Sequence, residues 1–255
     1  MSKPRPGVKW AKNLSKVEDE IVWKGAEAYY PEVASRLKGF DDIEKEYSRL
    51  GRSLSMDGIW AESISKDNLL AIVKWKFAVG KPRHALMKHL TSNTEASVEK
   101  HSSLAIAEAR HTKAGNKVLI KEAMKELINL KGVGPATASA VLSLVQPKAF
   151  AYMYDEVIDC FLPKRTYTLA TYERINDECT RIARNLGKEW TAARVATALW
   201  TIARAKAYDL YDPRKDPLAD KNANVDSKDI RKRPLADKDS NVDSKDRRVT
   251  RPRKS

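Results

Sequence analysis

The stretch that decides the fold is "INLKGVGPATASAVLSLV", residues 128–145, in which two glycines and a proline interrupt helical patterning. Apolar residues recur at i, i+3, i+4 and i+7 on both sides of the interruption, upstream at Ile120, Ala123, Met124 and Leu127 and downstream at Ala138, Val141, Leu142 and Val145. That spacing places one apolar stripe on each of two helices. The stretch therefore predicts a helix that ends at Leu130, a hairpin at 131–134 and a second helix that begins with Pro135, which pre-sets the φ angle of a first helical turn.

The hairpin "KGVG" has the features of a phosphate-binding turn. Gly132 and Gly134 are expected to adopt backbone conformations open to a residue without a Cβ, and they let another molecule approach the main chain closely. The unpaired N–H groups of the hairpin and of the next helix favour a phosphate, and the stretch contains no Asp or Glu to compete for them. Lys131 adds positive charge and Thr137 a further donor. The sequence thus predicts a DNA-binding surface at Lys131, Gly132, Val133, Gly134, Pro135 and Thr137; an ordinary tight turn between packed helices is the alternative.

The charge of the chain favours a polyanionic partner. Its 255 residues include 48 Lys and Arg against 34 Asp and Glu, a formal net charge of +14. Such a surface attracts nucleic acid first and membrane surfaces second. No apolar run approaches the roughly 20 residues that span a bilayer, and the N-terminal stretch lacks the apolar core of a signal peptide. Neither a membrane partner nor export is therefore expected.

The sequence carries no clear signature of a metal or cofactor. Cys160 and Cys179 form no close pair and join no His-rich cluster, which argues against a structural zinc site and a disulfide framework. An iron–sulfur cluster needs about four cysteines, more than one chain supplies here. His84 and His89 are five positions apart and do not share a helical face well. We expect no catalytic metal and no small-molecule cofactor, in a monomer suited to a reducing compartment.

Periodicity predicts an all-α fold. From about Lys16 to Tyr211 the segments repeat every 3.6 residues and show no alternating strand pattern. Ser65 is expected to cap a helix that carries Leu70, Val73 and Phe77 on one face and ends at Gly80. Further helices are expected at 17–30, where Pro31 interrupts, and at 41–54, 84–90, 94–109, 156–162, 172–186 and 190–208.

Beyond Pro213 the composition changes. The segment "PLADKNANVDSKD" at 217–229 recurs as "PLADKDSNVDSKD" at 234–246, without apolar residues enough to bury. Such a duplication predicts a disordered tail over 213–255 and not a stacking repeat. Its basic clusters "RKRP" and "RRVTRPRKS" favour nuclear import or sequence-independent DNA contact, with a merely solubilising tail as the alternative.

The N-terminal 17 residues bear on localisation. They contain no Asp or Glu, as mitochondrial presequences do, but Pro4 and Pro6 argue against an amphipathic helix there. A nuclear protein is therefore the first expectation, and a mitochondrial one the second.

The stretch around the hairpin resembles the helix-hairpin-helix of the DNA glycosylase superfamily, which includes endonuclease III, the adenine-mismatch and 8-oxoguanine glycosylases and the 3-methyladenine glycosylases. In that family a Gly/Pro-rich loop and an essential aspartate follow about twenty residues later. Here Asp155, in "KAFAYMYDEVIDCFL", follows Gly134 by 21 residues. The resemblance is strongest over roughly 115–165.

The resemblance implies a two-lobed helical domain over 1–212 with a nucleotide pocket between the lobes. Residues from about 40 to 147 would form the lobe with the hairpin, and residues 1–39 plus 148–212 the other. It also implies a monovalent cation held by hairpin carbonyls. The lyase members carry a Schiff-base lysine where this chain has Ala136, so strand cleavage through that position is not expected. The Gly/Pro-rich loop is reduced to "QPKAFAYMY", with Pro147 alone.

Asp155 is the candidate catalytic residue. Hydrolysis of an N-glycosidic bond builds positive charge on the sugar, which a fixed carboxylate stabilises while it orients or deprotonates a water. At the start of the helix 156–162, Asp155 is also expected to accept backbone N–H bonds. An N-cap aspartate with no chemistry, worth about 1 kcal/mol of stability, is the alternative. Glu156 is the next candidate but is expected to face elsewhere.

A glycosylase must extrude the target nucleotide and hold its base between aromatic or apolar groups. The candidates for that base pocket are Tyr152, Tyr154, Trp60 and Trp75, although aromatic residues on a helical stripe are often simply core. Basic residues near turns are the candidates for further phosphate contacts, namely Lys81, Arg83, Lys164 and Arg165.

The sequence leads to a first hypothesis of a monofunctional, metal-independent DNA glycosylase. The second is a non-catalytic DNA-binding protein on the same scaffold. A helical protein-interaction module with an incidental G-x-G turn is a more distant third.

Overall fold

The computed structural model describes residues 7–37, 39–55 and 62–210. Over these residues the chain forms helices and no strand, which confirms the all-α prediction. The helices are α1 Val8–Leu14, α2 Glu20–Glu27, α3 Tyr30–Ser35, α4 Phe40–Ser55, α5 Lys66–Val79, α6 Ala85–Thr91, α7 Glu95–His111, α8 Lys117–Ile128, α9 Pro135–Val145, α10 Asp155–Phe161, α11 Leu169–Leu186 and α12 Ala192–Ala207. None of the described helices combines the length and the apolarity that a membrane span requires.

Capping side chains set where most of the longer helices begin. The side-chain oxygen of the N-cap residue accepts a backbone N–H of the first turn, which satisfies one of the donors that a helix start leaves free. Ser65 does so for α5, as the sequence predicts, by accepting from the Asn68 N–H at 3.1 Å. Side chains also cap α2, α7, α8, α11 and α12, at Asp19, Thr94, Asn116, Thr168 and Thr191. Helix α9 has Gly134 at its N-cap position and therefore no side-chain cap.

The helices pack in two sets. Helices α4 to α9 pack mainly on one another, and α9 contacts α4, α5, α7 and α8. Helices α1 to α3 pack with α10 to α12, and α12 is the common partner of that set. Contacts between the sets are fewer and include α11 with α8 and α9, and α3 with α4.

The apolar stripe predicted for α8 is the buried one. Its four residues, Ile120, Ala123, Met124 and Leu127, are all buried. Helix α9 differs from a one-sided amphipathic helix, because polar Ser139 and Ser143 are buried along with its apolar residues. A helix surrounded by four neighbours has no solvent face to keep polar.

Two expectations about individual helices are wrong, one about the helix predicted at 17–30 and one about the face of α5. The single helix predicted at 17–30 is α2 followed by α3, and Pro31 lies in the first turn of α3, where its missing N–H costs no helical hydrogen bond. Helix α1 lies just before the first predicted helix. On α5 the predicted face is also wrong in part: Val73 is buried, but Leu70 and Phe77 are only partly covered. The buried residues of α5 are Leu69, Ile72, Val73, Trp75 and Val79.

The predicted tail at 213–255 and the base-pocket candidate Trp60 lie outside the described residues.

Candidate functional site

The two glycines of the hairpin differ in their role. Gly132 has a φ of +77°, and a Cβ there would lie 3.1 Å from atoms of His89 and Leu90, so the fold itself requires glycine. Gly134 has φ −110° and ψ −178°, an extended conformation that any residue adopts. The expectation that Gly134 needs a glycine-only backbone is therefore wrong. A Cβ on Gly134 would meet nothing within 4 Å.

Three backbone amides at the hairpin and the start of α9 have no acceptor within the part of the chain that the structure describes. The Val133 N–H donates to the Leu130 carbonyl at 3.1 Å, and the Thr137 N–H donates to the Gly134 carbonyl at 2.9 Å. Among the described residues the N–H groups of Gly132, Gly134 and Ala136 donate to no acceptor. Together with the uncapped start of α9, they give the surface an excess of donors that favours an anion.

Asn93, in the turn between α6 and α7, holds the hairpin in place. Its Oδ1 accepts the Lys131 N–H at 2.9 Å, and its Nδ2 donates to the Lys131 carbonyl at 2.9 Å. Asn93 is buried, and both bonds are partly shielded from water. Asn93 belongs to no helical stripe or motif, so the sequence gives no signal of this role.

One cleft of about 530 Å³ brings the hairpin and Asp155 together. Residues 132–137 form one wall, and Asp155 with Tyr167 lies on another. The end of α5 and the turn after it contribute Lys76, Lys81 and Arg83. Most of these residues are predicted from the sequence as site residues, but Lys76 and Tyr167 are not.

Asp155 is held by side chains from the segment that follows α10. The Tyr167 hydroxyl donates to its Oδ1 at 2.7 Å, and the Arg165 Nη1 lies 3.0 Å from its Oδ2. Arg165 also forms a bidentate ion pair with Asp159. The predicted N-cap role is wrong, because Asp155 is the first residue of α10 and Tyr154 occupies the cap position. Asp155 is nevertheless only 15% exposed, and Arg165 and Tyr167, which lie in one irregular segment, fix its carboxylate.

Glu156 lies apart from this network. Its side chain is 3% exposed and forms an ion pair with Arg204 of α12, at 3.0 Å between Oε1 and Nε. Arg204 also donates to the Val79 carbonyl at 3.1 Å. Glu156 therefore ties α10 to α12 and to the end of α5.

The cations and Tyr167 influence one another across the cleft. The guanidinium of Arg83 lies over the ring of Tyr167, 4.8 Å from its centroid. Burial, and then the hydrogen bond to Asp155, raise the pKa of Tyr167, which keeps the phenol protonated as a donor. Burial lowers the pKa of Lys76, nearby Arg83 lowers it further, and Asp155 partly opposes both.

The segment "QPKAFAYMY" at 146–154 forms a turn at 147–149, has no regular secondary structure after it, and is held by side chains of the neighbouring helices. Asn176 of α11 accepts the Ala151 N–H at 2.7 Å and donates to the Ala149 carbonyl at 2.9 Å. Ser139 of α9 accepts the Met153 N–H at 3.1 Å. This backbone has no Gly/Pro-rich sequence to fix its shape. Hydrogen bonds with side chains of α9 and α11 hold it instead, and they set the position at which α10 begins.

The three base-pocket candidates that lie among the described residues, Trp75, Tyr152 and Tyr154, form one buried cluster. Tyr152 and Tyr154 contact edge to face at 4.2 Å between centroids, and Trp75 lies 5.0 Å from Tyr152. Tyr152 and Tyr154 border the cleft, but Trp75 does not. Trp75 stacks on Tyr47 at 3.7 Å and borders a second cavity of about 320 Å³ behind the tyrosines. The three rings are at most 5% exposed, so they act first as core.

The candidate phosphate contacts fall into three groups. Lys81 and Arg83 are exposed and border the cleft, and Lys131 is exposed on the hairpin. Lys164 is exposed but is not among the residues that border the cleft. The charge of Arg165 is engaged by two aspartates. Thr137 borders the cleft but is only 3% exposed, so its hydroxyl can contact a ligand only from inside the cleft.

Few hairpin oxygens remain as ligands for the monovalent cation that the resemblance implies. The carbonyls of Leu130, Lys131 and Gly134 already accept hydrogen bonds. Those of Gly132 and Val133 accept none from the described residues. Among the same residues, no group of three or more His, Cys, Asp and Glu side chains is arranged to hold a metal ion.

Comparison with known proteins adds no relative: no protein-family model matches the chain, and no curated protein or solved structure matches it significantly.

Proposed function

We propose that this protein binds duplex DNA through the hairpin 131–134 and the start of α9, and that it hydrolyses the N-glycosidic bond of an extruded, modified base as a monofunctional DNA glycosylase. The observation that carries the proposal is the shared cleft. Free backbone donors, exposed cations and a fixed carboxylate border a single cavity of about 530 Å³. The donors and cations suit the phosphate, and the carboxylate suits the sugar next to it. The three kinds of group must therefore lie within about one nucleotide of each other.

Gly134 supports a ligand that approaches the main chain. No contact inside the described fold explains the glycine, since its backbone is extended and its Cβ position is open. A molecule that lies against the Gly134 and Ala136 amides would explain it, because a side chain would occupy that space. The start of α9 adds its partial positive charge, and Lys131 adds a full one.

The environment of Asp155 suits stabilisation of a developing positive charge. As the base departs, the sugar becomes an oxocarbenium-like cation, and a carboxylate beside the anomeric carbon lowers the energy of that state. The Tyr167 hydroxyl and Arg165 hold the carboxylate in one orientation, so little reorganisation is needed during the reaction. The same carboxylate can orient or deprotonate the attacking water.

The packing of the helices agrees with the resemblance. The set α4 to α9 spans 40–145 and contains the hairpin, and the set α1 to α3 with α10 to α12 contains Asp155. This division supports a glycosylase-like arrangement of two lobes, with the cleft lined by residues from both.

A second candidate is a DNA-binding protein without catalysis. It is favoured by the ion pair of Asp155 with Arg165, because a carboxylate already neutralised by a guanidinium stabilises a second positive charge less well. It is also favoured by the buried tyrosines, since a flipped base would have to displace packed rings.

The deciding experiment is a lesion panel. Duplex oligonucleotides with alkylated, deaminated, oxidised and mismatched bases are incubated with wild-type protein and with Asp155→Asn, and abasic products are cleaved by alkali. We expect wild type to release at least one base and Asp155→Asn to release none while it still binds duplex. Binding without release from any duplex would overturn the glycosylase proposal and leave the second candidate.

DNA binding itself is tested with Gly134→Asp. The carboxylate would stand at the free amides and repel phosphate, so we expect affinity to be lost at moderate salt. Unchanged affinity in a folded variant would overturn both candidates.

A further inference from the structure

The second cavity, of about 320 Å³, lies at the opposite end of α9 from the cleft. The first turn of α9 borders the cleft, whereas Ser143 and Leu144 in its last turn border this cavity. Tyr30, Glu44 and Tyr47 also border it and are only partly buried, so the cavity is accessible from solvent. Its volume is near the lower end of the range of small-molecule pockets, roughly 300–1,000 Å³, which suits a small head group.

Aromatic rings form much of the wall of this cavity. Five of the eleven described residues that border it carry such rings, namely Tyr30, Tyr47, Trp75, Tyr152 and Tyr154. The first two are partly exposed, and the other three are buried behind them. The face of an aromatic ring carries negative potential and attracts a cation that lies within about 6 Å of the ring centroid. The wall therefore favours a positively charged ligand with apolar surface.

Glu44 gives the cavity a negative charge. The Trp75 Nε1 donates to its Oε2 at 2.7 Å and the Ser48 hydroxyl to its Oε1 at 3.4 Å, which holds the carboxylate in place. Among the described residues, no Lys or Arg forms an ion pair with Glu44. Arg194 borders the same cavity, but its Nε and Nη2 donate to the two carboxylate oxygens of Glu27, each at 2.7 Å. Burial raises the pKa of Glu44, and a cation beside it would favour the charged carboxylate.

The segment that carries Tyr30 and Glu44 is acidic in a basic protein. Residues 18–46 contain nine Asp and Glu against four Lys and Arg, a net charge of −5, whereas the whole chain carries +14. A cationic peptide is therefore attracted to this part of the surface, and the cations of the cleft lie at the other end of α9.

We propose that this cavity binds a methylated lysine side chain in a basic peptide of a partner protein. Methylation keeps the positive charge of the ammonium but replaces its N–H donors with methyl groups, so the head group leaves water for an aromatic site at a lower cost. The rings contact the methyl groups, the carboxylate of Glu44 balances the charge, and the acidic segment 18–46 attracts the rest of the peptide. This interaction goes beyond the proposed DNA-binding function and does not depend on it.

The test compares forms of one peptide. A short, fluorescein-labelled peptide rich in Lys and Arg is made with its central lysine unmodified, dimethylated or trimethylated, and its binding to the full chain is measured by fluorescence anisotropy. We expect both methylated forms to bind at least about fivefold more tightly than the unmodified form, because several ring faces contribute. Free tetramethylammonium should compete with the methylated peptides, which places the contact at the head group.

Two pairs of variants assign the contact to named residues. Glu44→Gln removes the charge and keeps the shape, so it should weaken binding of the methylated peptides at least about tenfold. Its matched control is Glu46→Gln on the same helix, whose carboxylate pairs with Arg49 and which should change the affinity less than about twofold. Tyr30→Leu removes a ring face and should weaken binding about fivefold, whereas Tyr30→Phe keeps the ring and should bind as wild type does. Circular dichroism establishes that each variant folds.

Equal binding of the three peptide forms would overturn the proposal, as would wild-type affinity in Glu44→Gln. Binding of tetramethylammonium with no peptide form retained would overturn the peptide as the occupant. Duplex binding and base release should be the same in wild type, Glu44→Gln and Tyr30→Leu, because neither residue borders the cleft. Failure of this proposal is therefore distinguishable from failure of the proposed function.

Discussion

Asn93 and Lys131 form a two-point hydrogen-bonded pair, side chain to backbone, across 38 residues of sequence. The Asn93 Oδ1 and Nδ2 lie 2.9 Å from the Lys131 nitrogen and oxygen respectively, and Nδ2 also donates to the Leu90 carbonyl at 3.0 Å. The hairpin is therefore anchored at its first residue, while the Gly132 and Gly134 amides donate to no acceptor among the described residues and can face a ligand.

Asn93→Ala is expected to loosen the hairpin. The substitution leaves a partly buried N–H and a partly buried carbonyl of Lys131 without these partners, which costs about 1–3 kcal/mol in the free energy of unfolding. Affinity for duplex DNA should fall as well, since the free amides lose their fixed geometry. Urea denaturation measures the first effect, and fluorescence anisotropy with a labelled duplex measures the second.

Asn116→Ala is the control for that prediction. Asn116 caps α8 by accepting the Leu119 N–H at 3.3 Å. Its loss should cost about 1 kcal/mol of stability and leave DNA affinity unchanged. If both variants bind DNA as wild type does, the anchoring of the hairpin has no bearing on the interface.

Alanine should affect the two hairpin glycines differently: Gly132→Ala should lower the stability of the fold, whereas Gly134→Ala should keep the stability and weaken DNA binding. Gly132→Ala forces a side chain into a left-handed backbone and within 3.1 Å of Leu90, which should lower the free energy of unfolding by at least about 1 kcal/mol. Gly134→Ala should leave it unchanged or raise it by up to about 1 kcal/mol, since the position is extended and open. Gly134→Ala should nevertheless weaken DNA binding. Thermal denaturation and anisotropy on both variants provide the comparison, and a destabilised Gly134→Ala would show that glycine serves the fold there.

The sequence predicts best the parts of the fold that repeat locally. The α8 stripe and the Ser65 cap follow from spacing and from one side chain, and both occur as expected. The apolar face of α5 could not be assigned from spacing alone, because α4 and α9 cover it on more than one side. Which side of α5 is buried depends on the helices that pack against it, and the periodicity of its own sequence does not specify those neighbours.

The candidate site shows the same division. The local order of the hairpin and the 21-residue spacing place Gly134 and Asp155, and the cleft brings them together. Tyr167 contacts Asp155 from an irregular segment, and Lys76 of the distant helix α5 borders the same cleft, which no motif encodes. Asn93 could have been suspected only from the general need of buried backbone for partners, which does not say which polar residue supplies them.

Glu44 should make the stability of the protein fall as pH rises. Burial raises the pKa of this α4 carboxyl above its ordinary value of 4.5, and hydrogen bonds such as that from the Trp75 Nε1 at 2.7 Å oppose the shift only in part. The folded state therefore binds the proton more tightly than the unfolded state, and stability is lost as pH rises from about the unfolded pKa through the folded one. Relative to wild type, Glu44→Gln should gain stability between pH 4 and pH 7, as measured by urea denaturation.

Glu46, on the same helix, is the control of opposite sign. Its hydrogen bond and ion pair with Arg49 lower its pKa, so it contributes stability above its unfolded pKa that is lost as the pH falls. Relative to wild type, Glu46→Gln should be less stable above the unfolded pKa of about 4.5, and this deficit should shrink as the pH falls below that value. Parallel curves for the two variants would contradict the assignment of the Glu44 shift to burial.

Two arginines of the cleft should contribute differently to DNA binding. Arg83 is exposed, stacks on Tyr167 and forms no ion pair with a described carboxylate, so its charge is available to a phosphate. Arg165 is 23% exposed and pairs with both Asp155 and Asp159, which neutralise it before any ligand arrives.

Arg83→Gln should therefore weaken binding to all duplex sequences and reduce the slope of log K against log salt concentration by about 1. Arg165→Gln should leave that slope unchanged and instead lower the free energy of unfolding by on the order of 2 kcal/mol, because two partly buried carboxylates lose their donor. Anisotropy titrations at four salt concentrations, with urea denaturation alongside, measure both quantities. An equal loss of slope in the two variants would mean that phosphate displaces the aspartates from Arg165, and that DNA binding releases the Asp155 carboxylate.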